Sequence, residues 1–268
     1  MNPPHGVGLP SGPMSLCRGT FRVRETDSMF EERARDGVRV LSDPGALAHG
    51  VGIAFSDRRG GISHPPYDEL NLAMRVGDRR APVEENRRRA AAASGFELGE
   101  LALARQVHGA AAIEVGPGET GVVGEADVLF TRSGGVVIGI LTADCAPVIV
   151  VGEDGIAVAH AGWRGVVEGA VDRGVEVVGR PRAAWIGPAI HACCYQVGPE
   201  VVAAFEARGL PVAGRDRVDP ARAAAHVLAR AGVETVVSDH CTHHMDRYFS
   251  YRRDGVTGRQ GAFAWIAP

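Results

Sequence analysis

The sequence predicts a single α/β domain of residues 37–268. Runs of β-type residues alternate with segments of helical composition from Val38 onward, no segment repeats another, and no Pro/Gly/Ser-rich linker interrupts the interior. A chain of 268 residues is also long enough to bury a substantial core.

Residues 1–36 begin MNPPHGVGLPSGPM, rich in Pro and Gly, and continue into a charged stretch with Glu31, Glu32 and Arg33. They lack the basic and apolar regions of a secretory signal and are expected to form a disordered, dispensable extension; initiation at Met14 or Met29 would remove part of it. From Val38 the pattern becomes strand-like, at Val38–Leu41 and again at Gly50–Phe55. The turn-rich run SDRRGGISHPPYDEL then leads to Asn71–Arg75. Pro82 to Gly95 has helical composition, with Pro in the first turn and Gly at the end. Ala102 to Gly109 reads as a strand running into a glycine turn, with His108 at its end. A further β-type run, Ala112–Val115, a GPGETG loop and the segment Glu125–Thr131 follow.

The central stretch is VVIGILTADCAPVIVVGEDGIAVAHAGWRG, residues 136–165. Pairing Val148–Val151 with Ile156–Ala159 across the Gly152–Gly155 turn sets Val151 against Ile156 and Pro147 against His160. Cys145 then becomes the diagonal neighbour of His160 on the same face, with Cα atoms roughly 7–8 Å apart. Past His160, Gly162–Gly165 opens a helical segment reaching about Gly179, whose first N–H groups and Arg164 can bind an anion. Ala183–Ile186 and Glu234–Ser238 are strand-like, Pro199–Arg208 and Pro220–Ala231 helical, with Asp219 as an N-cap. The chain closes on the apolar run Ala262–Ile266.

Composition excludes several function classes. All 29 basic residues are arginines, so there is no lysine for a Schiff base or a Walker-type phosphate loop. A net charge of −3 argues against a dominant nucleic-acid-binding surface. No apolar run reaches the roughly 18 residues of a membrane span, so no membrane partner is expected. The five cysteines are odd in number and two are adjacent, which suits a reducing, cytoplasmic setting better than a disulfide framework. The composition leaves oligomeric state open, with a monomer favoured.

His108, Cys145 and His160, each at a strand end, make the sharpest candidate: a three-ligand metal site with a fourth position open, its ligand atoms within about 4 Å of one another. Zinc accepts this mixed set, and copper also binds imidazole and thiolate. Cys145 and His160 equally suit a nucleophile and base, or a small buried thiol beside a satisfied histidine. The run His240-Cys241-Thr242-His243-His244 is a rival cluster, but its side chains can scarcely all converge on one ion in a regular backbone. Cys193-Cys194 reads as a redox pair or simply as part of a buried loop. There is no GxSxG elbow, HExxH helix or dinucleotide fingerprint.

Gln106-Val107-His108-Gly109, Thr142-Ala143-Asp144-Cys145-Ala146-Pro147, His160-Ala161-Gly162-Trp163-Arg164-Gly165, Gly187-Pro188-Ala189-Ile190, Cys194-Tyr195 and Ser250-Tyr251-Arg252-Arg253 resemble, in order, the motifs of the laccase-domain or YfiH-like family, whose members are also called polyphenol oxidases or peptidoglycan editing factors. The resemblance spans about residue 38 to the C-terminus. It implies a single domain of layered mixed sheets flanked by helices, and a metal, usually zinc, on His108, Cys145 and His160. It also implies purine nucleoside phosphorylase activity on adenosine, inosine, guanosine and methylthioadenosine, with adenosine deamination possible at the same site. The substrates are then purine nucleosides and phosphate, with Asn71 and Arg164 as substrate contacts. Arg164, together with Arg75, is expected to hold phosphate; Asp144 is expected either to shuttle a proton or to orient its loop. His191 departs from the family pattern, where a glycine is common. The alternatives are a copper polyphenol oxidase of laccase type, a Cys-His hydrolase acting on cell-wall precursors, and a metal-stabilised binding partner of cell-wall enzymes.

Overall fold

Strands β9 (Ala146–Gly152) and β10 (Ile156–Ala161) are buried at every residue and form the middle of the molecule. The computed structural model describes residues 29–267. The two strands pair antiparallel with Val151 against Ile156 and Pro147 against His160, the register expected from the turn length and the apolar runs. They read as unbroken apolar runs because both faces of their sheet are covered.

That sheet has six strands in the order β12 (Glu234–Val237), β11 (Pro181–Ile186), β9, β10, β7 (Val128–Thr131) and β5 (Ala112–Glu114). A second sheet of seven runs β1 (Glu31–Arg35), β2 (Val38–Ser42), β3 (Val51–Ser56), β13 (Gln260–Ile266), β8 (Val137–Thr142), β4 (Leu101–Arg105) and β6 (Gly121–Glu125). Both are mixed: β4 lies parallel to β6 and β8, β5 to β7 and β11 to β12, and the other pairs are antiparallel. The sheets face one another through Phe55, Ile138 and Ile140 of one and Leu129, Ile149 and Trp185 of the other. Trp185 places its Nε1–H on Asp43 at 2.7 Å, so the one polar atom it carries into this core is satisfied.

Helices cover the two outer faces. Helix α1 (Arg80–Ser94) lays Ala90 and Ala91 on the seven-stranded sheet beside Phe263 and Leu103. On the other side α2 (Trp163–Glu168), α3 (Ala170–Val177), α4 (Pro199–Ala207) and α5 (Pro220–Arg230) bring Val166, Val171, Phe205 and Leu228 against Val148, Val150 and Ala159. Asp219 caps α5, accepting the N–H of Arg222 at 3.0 Å. The layered mixed sheets flanked by helices are the expected fold class.

Three expectations need correction. The fold begins before residue 37: β1 pairs with β2 over Glu31–Arg35, and Phe30 packs edge-on against Phe55 at 5.7 Å, so the last residues assigned to the extension belong to the domain. Residues 1–28 of that extension lie outside the described residues. The single helix expected from 162 to 179 is two, because Gly169 takes a left-handed conformation (φ 93°) that ends α2 and starts α3 in a new direction. Strand β6 starts within the GPGETG loop, at Gly121, a sheet-edge strand whose only apolar side chains, Val122 and Val123, are adjacent and so show no alternation.

Candidate metal centre

His160, the penultimate residue of β10, is buried; Cys145, immediately before β9, is half-buried; His108, three residues past β4, is exposed. One ligand atom from each lies within 4.8 Å of the other two, with the Cys145 sulfur 3.9 Å from Nε2 of His108. The imidazole rings of His108 and His160 stand edge to face at 4.7 Å. The predicted trio therefore converges, in a set up to about 1 Å wider than the 3.3–3.8 Å ligand separations of tetrahedral zinc.

A residue without a role in the sequence reading explains this convergence. Asp127, fully buried, accepts N–H groups from Val107, His108 and Gly109 at 3.0, 2.9 and 2.8 Å, and Nδ1 of His160 lies 2.8 Å from its carboxylate. One carboxylate thus pins the turn carrying His108, which sits at φ 64°, and orients the His160 ring so that Nε2 faces the cluster. Gly162 completes the fit: a Cβ there would stand 2.7 Å from the Cys145 sulfur and 3.3 Å from the His108 ring, so the first glycine of HAGWRG leaves room for the ligands.

The electrostatics favour a thiolate. Burial works against ionising Cys145, but the charge of His160 and hydrogen bonds with both imidazoles draw the thiol down to about 6. Burial also disfavours a charged His160, yet the Cys145 thiolate and the Asp127 carboxylate raise it to about 9. Two nitrogens and one sulfur at or beside strand ends are a donor set that fits zinc with a position left over, and by ligand type also copper.

The family model for multi-copper polyphenol oxidoreductase laccase matches residues 52–267. The chain belongs to this laccase-domain family. Among its relatives, the purine nucleoside phosphorylase YfiH of Escherichia coli strain K12 is 38% identical over 231 residues, covering 81% of this chain and 94% of that protein. A purine nucleoside phosphorylase of Deinococcus radiodurans is 41% identical over 224 residues, 78% of this chain and 87% of that one. The crystal structure of YlmD from Geobacillus stearothermophilus superposes with a TM-score of 0.81 at 31% identity, over 90% of this chain and 99% of that chain. YfiH of Bacillus licheniformis gives 0.79 at 27% identity, over 89% and 99%.

Within the laccase-domain fold the other expected site residues separate. Asp144, at φ 90°, accepts Thr242 Oγ1 at 2.7 Å and the Arg252 N–H at 2.6 Å, while its carbonyl accepts the Ile190 N–H at 2.9 Å. These contacts tie the Cys145 loop to the loops that carry Ile190, Thr242 and Arg252. Arg164 is exposed on the first turn of α2, stacked 4.5 Å over Trp163. Asn71 is not free to touch a substrate: fully buried, its amide donates to Ala73 O and Asp78 and accepts the N–H groups of Ala73 and Arg259. Arg75 is exposed in the same loop, and no described contact joins it to the cluster.

Two residues enter to which the sequence reading gave no role. Arg259, whose main chain Asn71 holds, is disfavoured as a cation by burial but favoured by the charges of Cys145 and Asp144. The Tyr195 phenol, held beneath Arg252 at 4.6 Å, is pushed up to about 12 by burial and by the same two charges, so it remains protonated at neutral pH. Both responses arise from long-range neighbours, and neither was visible in local spacing.

Among the described residues no helix is long and apolar enough to cross a membrane.

Proposed function

We propose that the chain is a zinc-dependent purine nucleoside phosphorylase acting on adenosine, inosine, guanosine and methylthioadenosine. The observation that carries this reading is the convergence of two imidazoles and one thiol with Asp127 fixed behind His160. The names of the relatives support the reaction class, and the donor set supports zinc.

In phosphorolysis, a phosphate oxygen bonds to ribose C1′ as the bond from C1′ to the purine nitrogen breaks, and the departing purine takes up a proton. When bound by His108, Cys145 and His160, zinc supplies Lewis acidity that stabilises negative charge on a substrate atom. Arg164 on α2 and Arg259 beside Cys145 supply the positive charge for phosphate. Arg75, exposed and without a described contact to the cluster, is reduced to an outer contribution. Tyr195 keeps its proton and serves as a hydrogen-bond donor at the rim. Asp127 holds the proton on His160 Nδ1 and keeps Nε2 available. Asp144, engaged by Thr242 and Arg252, sets the angle of the Cys145 loop and moves no proton. Adenosine deamination, which replaces the purine amino group by water oxygen and releases ammonia, belongs to the same metal reading.

A Cys-His hydrolase is the second reading, favoured by the depressed Cys145 thiol beside a cationic His160. His108 on the same sulfur gives metal the preference, because a nucleophile needs one base and no second imidazole. A full multicopper oxidase needs far more imidazoles than this trio supplies.

Incubating the zinc-loaded protein with each nucleoside, with and without phosphate, tests the proposal. Free purine and the sugar 1-phosphate, ribose 1-phosphate or, from methylthioadenosine, 5-methylthioribose 1-phosphate, should appear together and only when phosphate is present. Cleavage that ignores phosphate would reject phosphorolysis, and ammonia release without free base would leave only the deaminase.

A further inference from the structure

Away from the candidate centre, two irregular loops bring together every other cysteine of the described residues. The loop after β11 carries Cys193 and Cys194, and the loop after β12 carries Cys241 and His244. They are zipped by a parallel bridge between Ala189 and Cys241 and by the bond from the Thr242 N–H to Ala189 O at 3.0 Å. The Cys193 sulfur stands 3.8 Å from that of Cys241 and 3.9 Å from Nδ1 of His244, and one ligand atom from each of the four residues lies within 4.8 Å of the others.

We propose that Cys193, Cys194, Cys241 and His244 form a second zinc site, structural in kind, that clips these two loops together. Three thiols and one imidazole are a complete tetrahedral set with no open position, the composition of structural zinc. Cys241 is buried where the two loops are zipped together, and it anchors the set. Three sulfurs this close cannot all ionise alone, and a divalent cation removes the repulsion.

The clip has a structural consequence at the first site. Ile190 and Thr242, one from each clipped loop, both bond to Asp144, the residue before Cys145. A zinc ion here fixes the loops that hold the Cys145 turn, without entering the chemistry.

Metal analysis of the full chain, purified under reducing conditions in zinc-containing buffer, tests the site. Wild type should hold about two equivalents of zinc, as two separate ligand sets require. The exposed-residue variants Cys193→Ser and His244→Ala, chosen because the buried Cys241 is harder to change without unfolding, should each lose about one equivalent and melt at lower temperature. Cys145→Ser, loaded with cobalt, should still show a sulfur-to-cobalt charge-transfer band from the second site. A wild type holding a single equivalent that Cys145→Ser abolishes, or variants at 193 and 244 that retain the full zinc content, would overturn the proposal. So would a Cys193–Cys241 disulfide found by mass analysis in the reduced, zinc-treated protein.

Discussion

Replacing Asp127 with alanine strips four donors of one acceptor: the N–H groups of Val107, His108 and Gly109, and Nδ1 of His160. Leaving a buried imidazole and three main-chain groups unpaired should cost about 3–5 kcal/mol of stability, measured by urea unfolding. Asp127→Asn is the milder test. It keeps the size but presents an NH₂ where a carboxylate oxygen was needed, so the His108 turn loosens and the His160 ring loses its charged partner. Zinc affinity, read by chelator competition, should fall by roughly 10–100-fold while the protein stays folded. An Asp127→Asn protein that binds zinc as wild type does would show that the ligands are held some other way. His108, Cys145 and His160 were legible because strand ends and a turn of known length place them. Asp127 was not, since Glu125-Ala126-Asp127-Val128 looks like any strand entry, and its partners lie 18 to 33 residues away.

At the scale of elements, Phe30 and the first strand carry the clearest test. Phe30 is half-buried against Phe55, so Phe30→Ala should remove about 1–2 kcal/mol of apolar burial. The melting temperature should drop by roughly 2–8 °C with turnover unchanged; an unaltered melting curve would return this segment to a dispensable extension. Strand β1 escaped the sequence reading because all five of its residues are exposed and EERAR has no apolar alternation; only pairing with β2 defines it. The hairpin β9–β10 was legible for the opposite reason, two apolar runs joined by a short glycine turn. Helix α1 offers a pH test. Arg88 and Arg89 hydrogen-bond Glu85 and hold its carboxyl down at about 2, against an ordinary 4.5. A depressed acid stabilises fully above its unfolded value and loses that contribution as pH falls through the folded one. The stability difference between wild type and Glu85→Gln should therefore be present at pH 7 and vanish as pH falls from about 4.5 to about 2. For surface pairs it should stay below about 1 kcal/mol and shrink with salt. A difference that grows on acidification would contradict this.

At the scale of the whole molecule, two mixed sheets stack so that the ends of β4, β9 and β10 meet, and the loops after β11 and β12 close over the same end. The sequence pattern could reveal the layers, because each strand and helix announces its own apolar face. It could not reveal which loops meet: Cys193 and Cys241 are 48 residues apart, and inside the run His240–His244 nothing marks Cys241 and His244 as the members facing Cys193. For the same reason Asn71 looked like a substrate contact from its motif, whereas the folded chain uses it to hold Arg259. The central claim is that His108, Cys145 and His160 share one catalytic zinc. Its most direct test is to measure zinc content and phosphate-dependent nucleoside cleavage on the same preparations of His108→Ala, Cys145→Ser and His160→Ala. Serine replaces a soft thiolate with a hydroxyl that does not ionise near neutral pH, so the ion should be bound far more weakly. The result expected is that zinc at this site and turnover fall together in all three variants. A Cys145→Ser protein with the full zinc content of wild type and no activity would contradict it, and would make Cys145 a nucleophile instead.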